Sequence, residues 1–218
     1  WNKRSKEGFE NALKHFERAI ELDPDYADPY SGLADTHSLM VFYGHAIRDE
    51  AMPKAKQHAE TAKEKNPNLA KAYTSMGWIL YMYEYDWEGA ENNFKKGVEL
   101  NPNYATGCQW YGLLLLDIGE KEEAISIMGR AEQSDPTSLI IKINLAMMHY
   151  QAGLNEKALM YADGALNISP TFSLALNMKY VQLLADGVDG GIEIFRERLS
   201  ADKEGNEGRE SLFQLYLM

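Results

Sequence analysis

The sequence predicts an all-α solenoid of stacked antiparallel helix pairs, about five to six hairpins long. Three observations carry that reading. First, Pro24, Pro67, Pro102, Pro136 and Pro170 are spaced by 43, 35, 34 and 34 residues, and a period near 34 belongs to stacked helical hairpins. Second, small residues stand twelve, eight and five positions before each proline: Ala12, Phe16, Ala19; Ala55, Ala59, Ala62; Ala90, Phe94, Gly97; Ala124, Met128, Ala131; Ala158, Ala162, Ala165. Spacings of four and three put each trio on one helical face, where small side chains let two helix axes approach and a larger central residue fills the gap between hairpins. Third, the helix before each of the last four trios carries a matching set: Tyr30, Leu33, Ala34, His37; Tyr73, Met76, Gly77, Leu80; Cys108, Tyr111, Gly112, Leu115; Lys142, Leu145, Ala146, His149.

The elements follow in order along a single unit, 1–218. Residues 7–22 form a helix with only the second half of a hairpin's signature, a partial repeat whose uncovered face needs a cap. Asp23, Asn66, Asn101, Asp135 and Ser169 each precede a proline, so each helix ends there. Residues 27–65 are the first full repeat. Its nine extra residues fall around Val41–Pro53, read as a longer first helix and an enlarged loop broken by Gly44 and Pro53. That loop is either a tolerated surface insertion or a binding loop with His45 and Arg48 as polar contacts. Repeats follow at 70–100, with one extra residue near Glu84–Trp87, at 104–134, with its turn at Gly119-Glu120, and at 139–168, with its turn at Gly153. A degenerate repeat spans 173–200, with a glycine-rich turn. The stretch 201–210 is polar. Residues 207–218 are expected as a C-terminal capping helix, since Leu212, Phe213, Leu215, Tyr216 and Leu217 are too apolar for a free tail.

Composition narrows the function. A chain of 218 residues with 45% hydrophobic content can bury a continuous core. A net charge of −11 argues against nucleic acid or an anionic membrane as the main partner, because both need clustered Lys and Arg. No apolar run reaches the roughly 18 residues that span a bilayer. The single Cys108 excludes an intrachain disulfide and fits a reducing, cytoplasmic compartment, although a cysteine-poor periplasmic domain would look the same. The chain starts at Trp1, not Met, and is expected to be a piece of a longer protein.

The period, the proline and the Ala/Gly register together resemble the tetratricopeptide repeat family, over residues 7–170 well and 171–200 weakly. The departures are the missing Trp at its usual place and His or Leu where Tyr is common. The resemblance implies a right-handed superhelix whose first helices line a concave groove through their second, fifth, ninth, twelfth and thirteenth positions. In the second repeat these are Lys71, Thr74, Trp78, Tyr81 and Met82. In the third they are Thr106, Gln109, Leu113, Leu116 and Asp117, and in the fourth Ile140, Ile143, Met147, Tyr150 and Gln151. The degenerate repeat adds Leu174, Asn177, Val181, Leu184 and Ala185. Members that grip a C-terminal carboxylate use a Lys/Asn/Arg set, whereas here Lys71 is the one positive group, so an amphipathic helix or apolar peptide is the expected ligand. Trp78, Tyr81, Met82, Leu113, Leu116, Met147 and Tyr150 would hold it, with Thr74 among the groove residues, and Lys71, Gln109 and Asn177 would select it. The competing reading makes these residues core, or has the chain's own C-terminus cover them.

No catalytic, metal or cofactor motif emerges. The five histidines have no metal-ligand spacing, and His37 and His149 share one repeat position, which points to packing, while His15 and His58 are expected to be exposed. Asp and Glu read as solvated faces. The glycines at 187–191 do not match a nucleotide loop, and Cys108 is expected to be buried and unreactive. The expected role is a non-catalytic scaffold for a protein or peptide, needing no cofactor. The alternative is a self-associating or sensory domain of a larger bacterial regulator (a transcription factor, cyclase or kinase), since residues 83–115 resemble the repeat regions such proteins carry; that reading allows a homo-oligomer.

Overall fold

The computed structural model describes residues 5–185, and side chains through Lys179. The expected second half of the degenerate repeat, the polar stretch 201–210 and the capping helix 207–218 lie outside the described residues, as do the side chains of Val181, Leu184 and Ala185. The chain divides between Ile118 and Gly119 into two compact units. Among the described residues every regular element is helical.

The first unit holds α1 (Lys6–Leu22), α2 (Asp28–Phe42), α3 (Arg48–Lys65), α4 (Ala70–Ile79), a π-helical turn (Leu80–Glu84), α5 (Trp87–Leu100) and α6 (Ala105–Asp117). Each helix packs on the next, and α4 also packs on α2 and α6. This is the pattern of hairpins laid side by side, first helix against first helix. The second unit holds α7 (Lys121–Ser134), α8 (Leu139–Gln151), α9 (Asn155–Ile168) and α10 (Ser173–Ala185), again with sequential packing and with α10 also against α8.

The small-residue trios of the four full repeats are buried as their spacing requires. Ala55, Ala59, Ala62, Ala90 and Phe94 are completely buried in the first unit, and Ala124, Met128, Ala131, Ala162 and Ala165 in the second. The large central residues fill the gap between neighbouring helices: a Cβ on Gly32 would lie 2.4 Å from the Phe16 ring, and one on Gly77 would lie 2.8 Å from Phe94. Phe16 and Phe94 therefore occupy the room those two glycines leave open. The pre-proline residues end their helices as expected. Asp23, Asn66, Asn101, Asp135 and Ser169 each donate the backbone N–H to the carbonyl four residues back. Asp23, Asn66 and Asn101 then accept the N–H two residues on through the side chain, the local turn that short polar residues favour.

Two expectations are corrected. The extra residues of the first repeat do not form a loop over 41–53; only residues 43–47 separate α2 from α3, and the remainder lengthens helix. Pro53 lies inside α3. It removes the N–H that would bond the Asp49 carbonyl, and the later turns of the helix, anchored by Ala55, Ala59 and Ala62, carry it through. The extra residue of the second repeat is absorbed earlier than 84–87, as the π-turn at Leu80–Glu84, which takes one surplus residue without breaking the helix.

That π-turn ends in Tyr85 at φ 57°, left-handed backbone. The corresponding turns use Gly44, Gly119 and Gly153 at φ 71°, 92° and 73°, where no Cβ opposes the conformation.

Candidate functional site

In each unit the first helices carry residues expected from the sequence to line a groove. In the first unit α4 supplies Lys71, Thr74, Trp78 and, in its π-turn, Tyr81 and Met82; α6 supplies Gln109, Leu113 and Leu116. Their exposure divides them. Trp78 is 4% exposed and stacks on Trp110 at 4.6 Å, with Phe42 and Tyr81 set edge-on around it. Thr74 is buried, its hydroxyl 2.9 Å from where a Cβ would stand on Gly97 or Gly107. Gln109 and Tyr81 are also buried. The Tyr81 hydroxyl donates to the Asp117 carboxylate, and burial together with that negative neighbour pushes the phenol's pKa up. These four form the floor of the face. Met82, Leu113 and Leu116 are half-buried and present apolar surface above it.

Lys71 is not a free cation. Its Nζ lies 2.6 Å from Asp28 Oδ2, and both side chains remain partly exposed. Asp28 belongs to a set that the sequence analysis left out. The same helical register read on α2 gives Asp28, Ser31, Asp35 and Ser38, so the signal was present and was not applied to the first repeat. Asp35 in particular is no solvated carboxylate; it is 4% exposed between α2 and α4. Ser75 Oγ stands 2.6 Å from Asp35 Oδ1 and 2.9 Å from the Lys71 carbonyl. A hydroxyl carries one hydrogen. If Ser75 donates it to Lys71, the short contact is completed by a proton on Asp35. Burial accordingly raises the Asp35 pKa to about 7, against the lowering by Ser75 and Lys71. Tyr104, just before α6, faces the same group: burial raises its pKa, with Asp35 and Asp28 adding to the effect. This end of the face is polar, and burial there favours the protonated form of Asp35.

In the second unit Met147 and Tyr150 are half-buried on α8 and pack against a core of Ile143, Ala146, Ala162, Ala165, Ala175 and Met178. Asn177 is half-buried on α10. His149 is buried and stacks on Tyr161 at 5.4 Å. Its register partner His37 stacks on His58 at 5.8 Å and 3°. Packing thus accounts for both repeat-position histidines, and His58 is half-buried where exposure was expected. Desolvation, with the neighbouring His58 and Lys54 adding to it, lowers the His37 pKa to about 4.

Of the insertion residues, His45 packs on Phe9, 5.8 Å between ring centroids, and helps to cover α1. Arg48 stands apart from it at the start of α3 and donates Nη2 to the Tyr83 carbonyl at 2.5 Å. Cys108 is buried, its Sγ on the Pro102 carbonyl at 3.5 Å, where Tyr30 and Tyr73 place their hydroxyls on Pro24 and Pro67. Among the described residues no group of three His, Cys, Asp or Glu is arranged to hold a metal, and no helix is long and apolar enough to cross a membrane.

Helix pairs of equal register, with small residues buried where they pack, define a helical-repeat protein. The repeats are similar to tetratricopeptide repeats: a family model described as TPR repeat matches residues 3–40, and solved TPR structures share the fold. YrrB, described as a TPR protein with an unusual peptide-binding site, superposes with a TM-score of 0.53 at 26% identity, over 79% of this chain and 84% of its own. PilW, a type IV pilus biogenesis factor, gives a TM-score of 0.71 at 18% identity over 94% and 90%, a likeness of fold alone. Transcriptional regulator HilA of Salmonella typhimurium (strain LT2) is 28% identical over 156 residues, 71% of this chain and 28% of HilA. The chain therefore spans less than a third of that relative. TPR folds generally mediate protein–protein interaction, and TPR proteins are generally non-catalytic scaffolds.

Proposed function

We propose that this chain is a non-catalytic interaction module whose first-helix face holds a peptide or amphipathic helix of a partner protein. The observation that carries the reading is the composition of the α4–α6 face. Half-buried Met82, Leu113 and Leu116 offer apolar contact above a rigid floor of Trp78, Trp110 and Tyr81, and Lys71, Asp28 and Tyr104 form a polar end. Apolar anchors beside a few fixed polar groups are what peptide grooves use. Met147, Tyr150 and Asn177 serve the same role on the second unit. The peptide-binding site attributed to YrrB supports the reading by likeness of chain.

The test is selection of displayed peptides on the intact chain, followed by Leu113→Asp and Leu116→Asp. Both side chains are half-buried, so the helical circular dichroism should survive while the selected peptide loses at least about tenfold in affinity. Retained affinity in both variants would refute the reading. A second reading, a self-associating or sensory domain of a larger cytoplasmic regulator, is favoured by the similarity to HilA. Light scattering that shows a monomer at all concentrations would remove its self-association half.

A further inference from the structure

The two irregular hairpins meet in a cleft of about 390 Å³ between the start of α3 and the π-turn. None of the groove residues lines it. Its walls are apolar (Met52, Pro53, Ile79 and the Tyr83 side chain) and Arg48 and Lys56 stand on its border. The volume falls in the range of pockets that take a side chain or a small molecule.

The cleft is pinned from both helices. Tyr83 gives its hydroxyl to the Ser38 carbonyl at 2.7 Å, and its own carbonyl, orphaned where the helix ends at Tyr85, accepts from Arg48. Lys56 is neutralised by Glu84 at 2.7 Å. Arg48 is different: of its five N–H donors one is used, on a neutral carbonyl, and no carboxylate pairs with it among the described residues. The lining carboxylate without a cation, Asp49, lies in the first turn of α3, where the helix N-terminus offsets its charge. Ile47 and Tyr85, the chain neighbours of Arg48 and Glu84, are 65% and 68% exposed. Two large apolar groups are thus left in water beside an apolar cleft with an unpaired guanidinium.

We propose that this cleft is a second docking site, for an extended peptide that inserts an apolar side chain between α3 and the π-turn and sets a neighbouring carboxylate on Arg48. The guanidinium fork matches a carboxylate in two parallel hydrogen bonds, which selects an acidic neighbour over its amide. The exposed Ile47 and Tyr85 widen the contact beyond a small molecule. Tyr85 stands in backbone that the other turns give to glycine, and this keeps its ring at the rim.

The test uses the ¹⁵N-labelled full chain titrated with N-acetyl-Asp-Phe-amide and with the isosteric N-acetyl-Asn-Phe-amide. The acidic peptide should move the amide signals of Arg48, Met52, Tyr83 and Glu84 and bind about tenfold more tightly than its amide analogue. Arg48→Gln should abolish that preference, Arg48→Lys should keep only part of it, and Leu113→Asp should leave it unchanged, which separates this site from the first-helix face. Equal affinity for the two peptides, shifts confined to the first-helix face, an undiminished preference in Arg48→Gln, or no shift at millimolar peptide would each overturn the proposal.

Discussion

Replacing Asp35 by Asn should stabilise the first unit, and the gain should depend on pH. In the unfolded chain Asp35 ionises near 3.8; in the native fold burial holds the proton until about 7. Between these values the native state binds the proton and the unfolded state does not, so this group's contribution falls as pH rises. A shift of about three units corresponds to roughly 4 kcal/mol between pH 4 and pH 7. Asn fills the same space, carries no charge and can donate to Ser75 Oγ in place of the acid proton. Asp35→Asn should therefore be close to neutral at pH 4.5 and stabilising by about 2–4 kcal/mol at pH 8. Urea unfolding followed by tryptophan fluorescence is suited to this, because Trp78, Trp87 and Trp110 belong to the first unit. Taking the difference between variant and parent at each pH cancels the histidines. A difference that is the same at pH 4.5 and pH 8, or one that shrinks as pH rises, would show that Asp35 is ionised in the native state and that the proton assignment is wrong.

The stacked His37–His58 pair acts in the opposite direction. The folded pKa of His37 lies near 4, below its unfolded value of 6.5, so stability is present above pH 6.5 and lost as pH falls toward 4. Both rings are half-exposed, so the effect is about 1 kcal/mol after solvent screening. His58→Tyr, which copies the His149–Tyr161 stack, should flatten the drop in Tm between pH 7 and pH 5. Tyr85→Gly should stabilise by about 1 kcal/mol by relieving the left-handed backbone, measured as a rise in the urea midpoint; a fall would mean that the ring makes a compensating contact. Gly77→Ala should cost about 1–3 kcal/mol, because its Cβ meets the buried Phe94 ring. Combined with Phe94→Ala, which alone should cost about 3–5 kcal/mol, it should cost less than the sum, since the two changes share one space; full additivity in a double-mutant cycle would refute that geometry.

The repeat register of α4, α6 and α8 was legible because a fixed period transfers one position to the next repeat. What the period does not carry is depth. Trp78 and Leu113 hold the same repeat position, yet Trp78 is buried under Trp110 and Phe42, while Leu113 keeps exposed surface. Which side chain is covered depends on what the neighbouring helices bring. The cleft at Arg48 was half-visible as an insertion with a polar residue in it; its other wall comes from a π-turn that a one-residue surplus signals but does not locate.

By itself the sequence determined the repeat, the helix ends before Pro24, Pro67, Pro102, Pro136 and Pro170, and the small-residue faces. Those follow from local chemistry repeated at a fixed spacing: a short polar residue followed by proline ends the helix before it, and alanine permits close approach wherever it recurs. The tertiary structure alone decided protonation and pairing, namely that Asp35 is a buried acid, that Lys71 belongs to Asp28 and that Arg48 reaches Tyr83. Those depend on which groups from distant repeats share a low-dielectric space, and a period states where a residue stands on its own helix without stating what stands opposite.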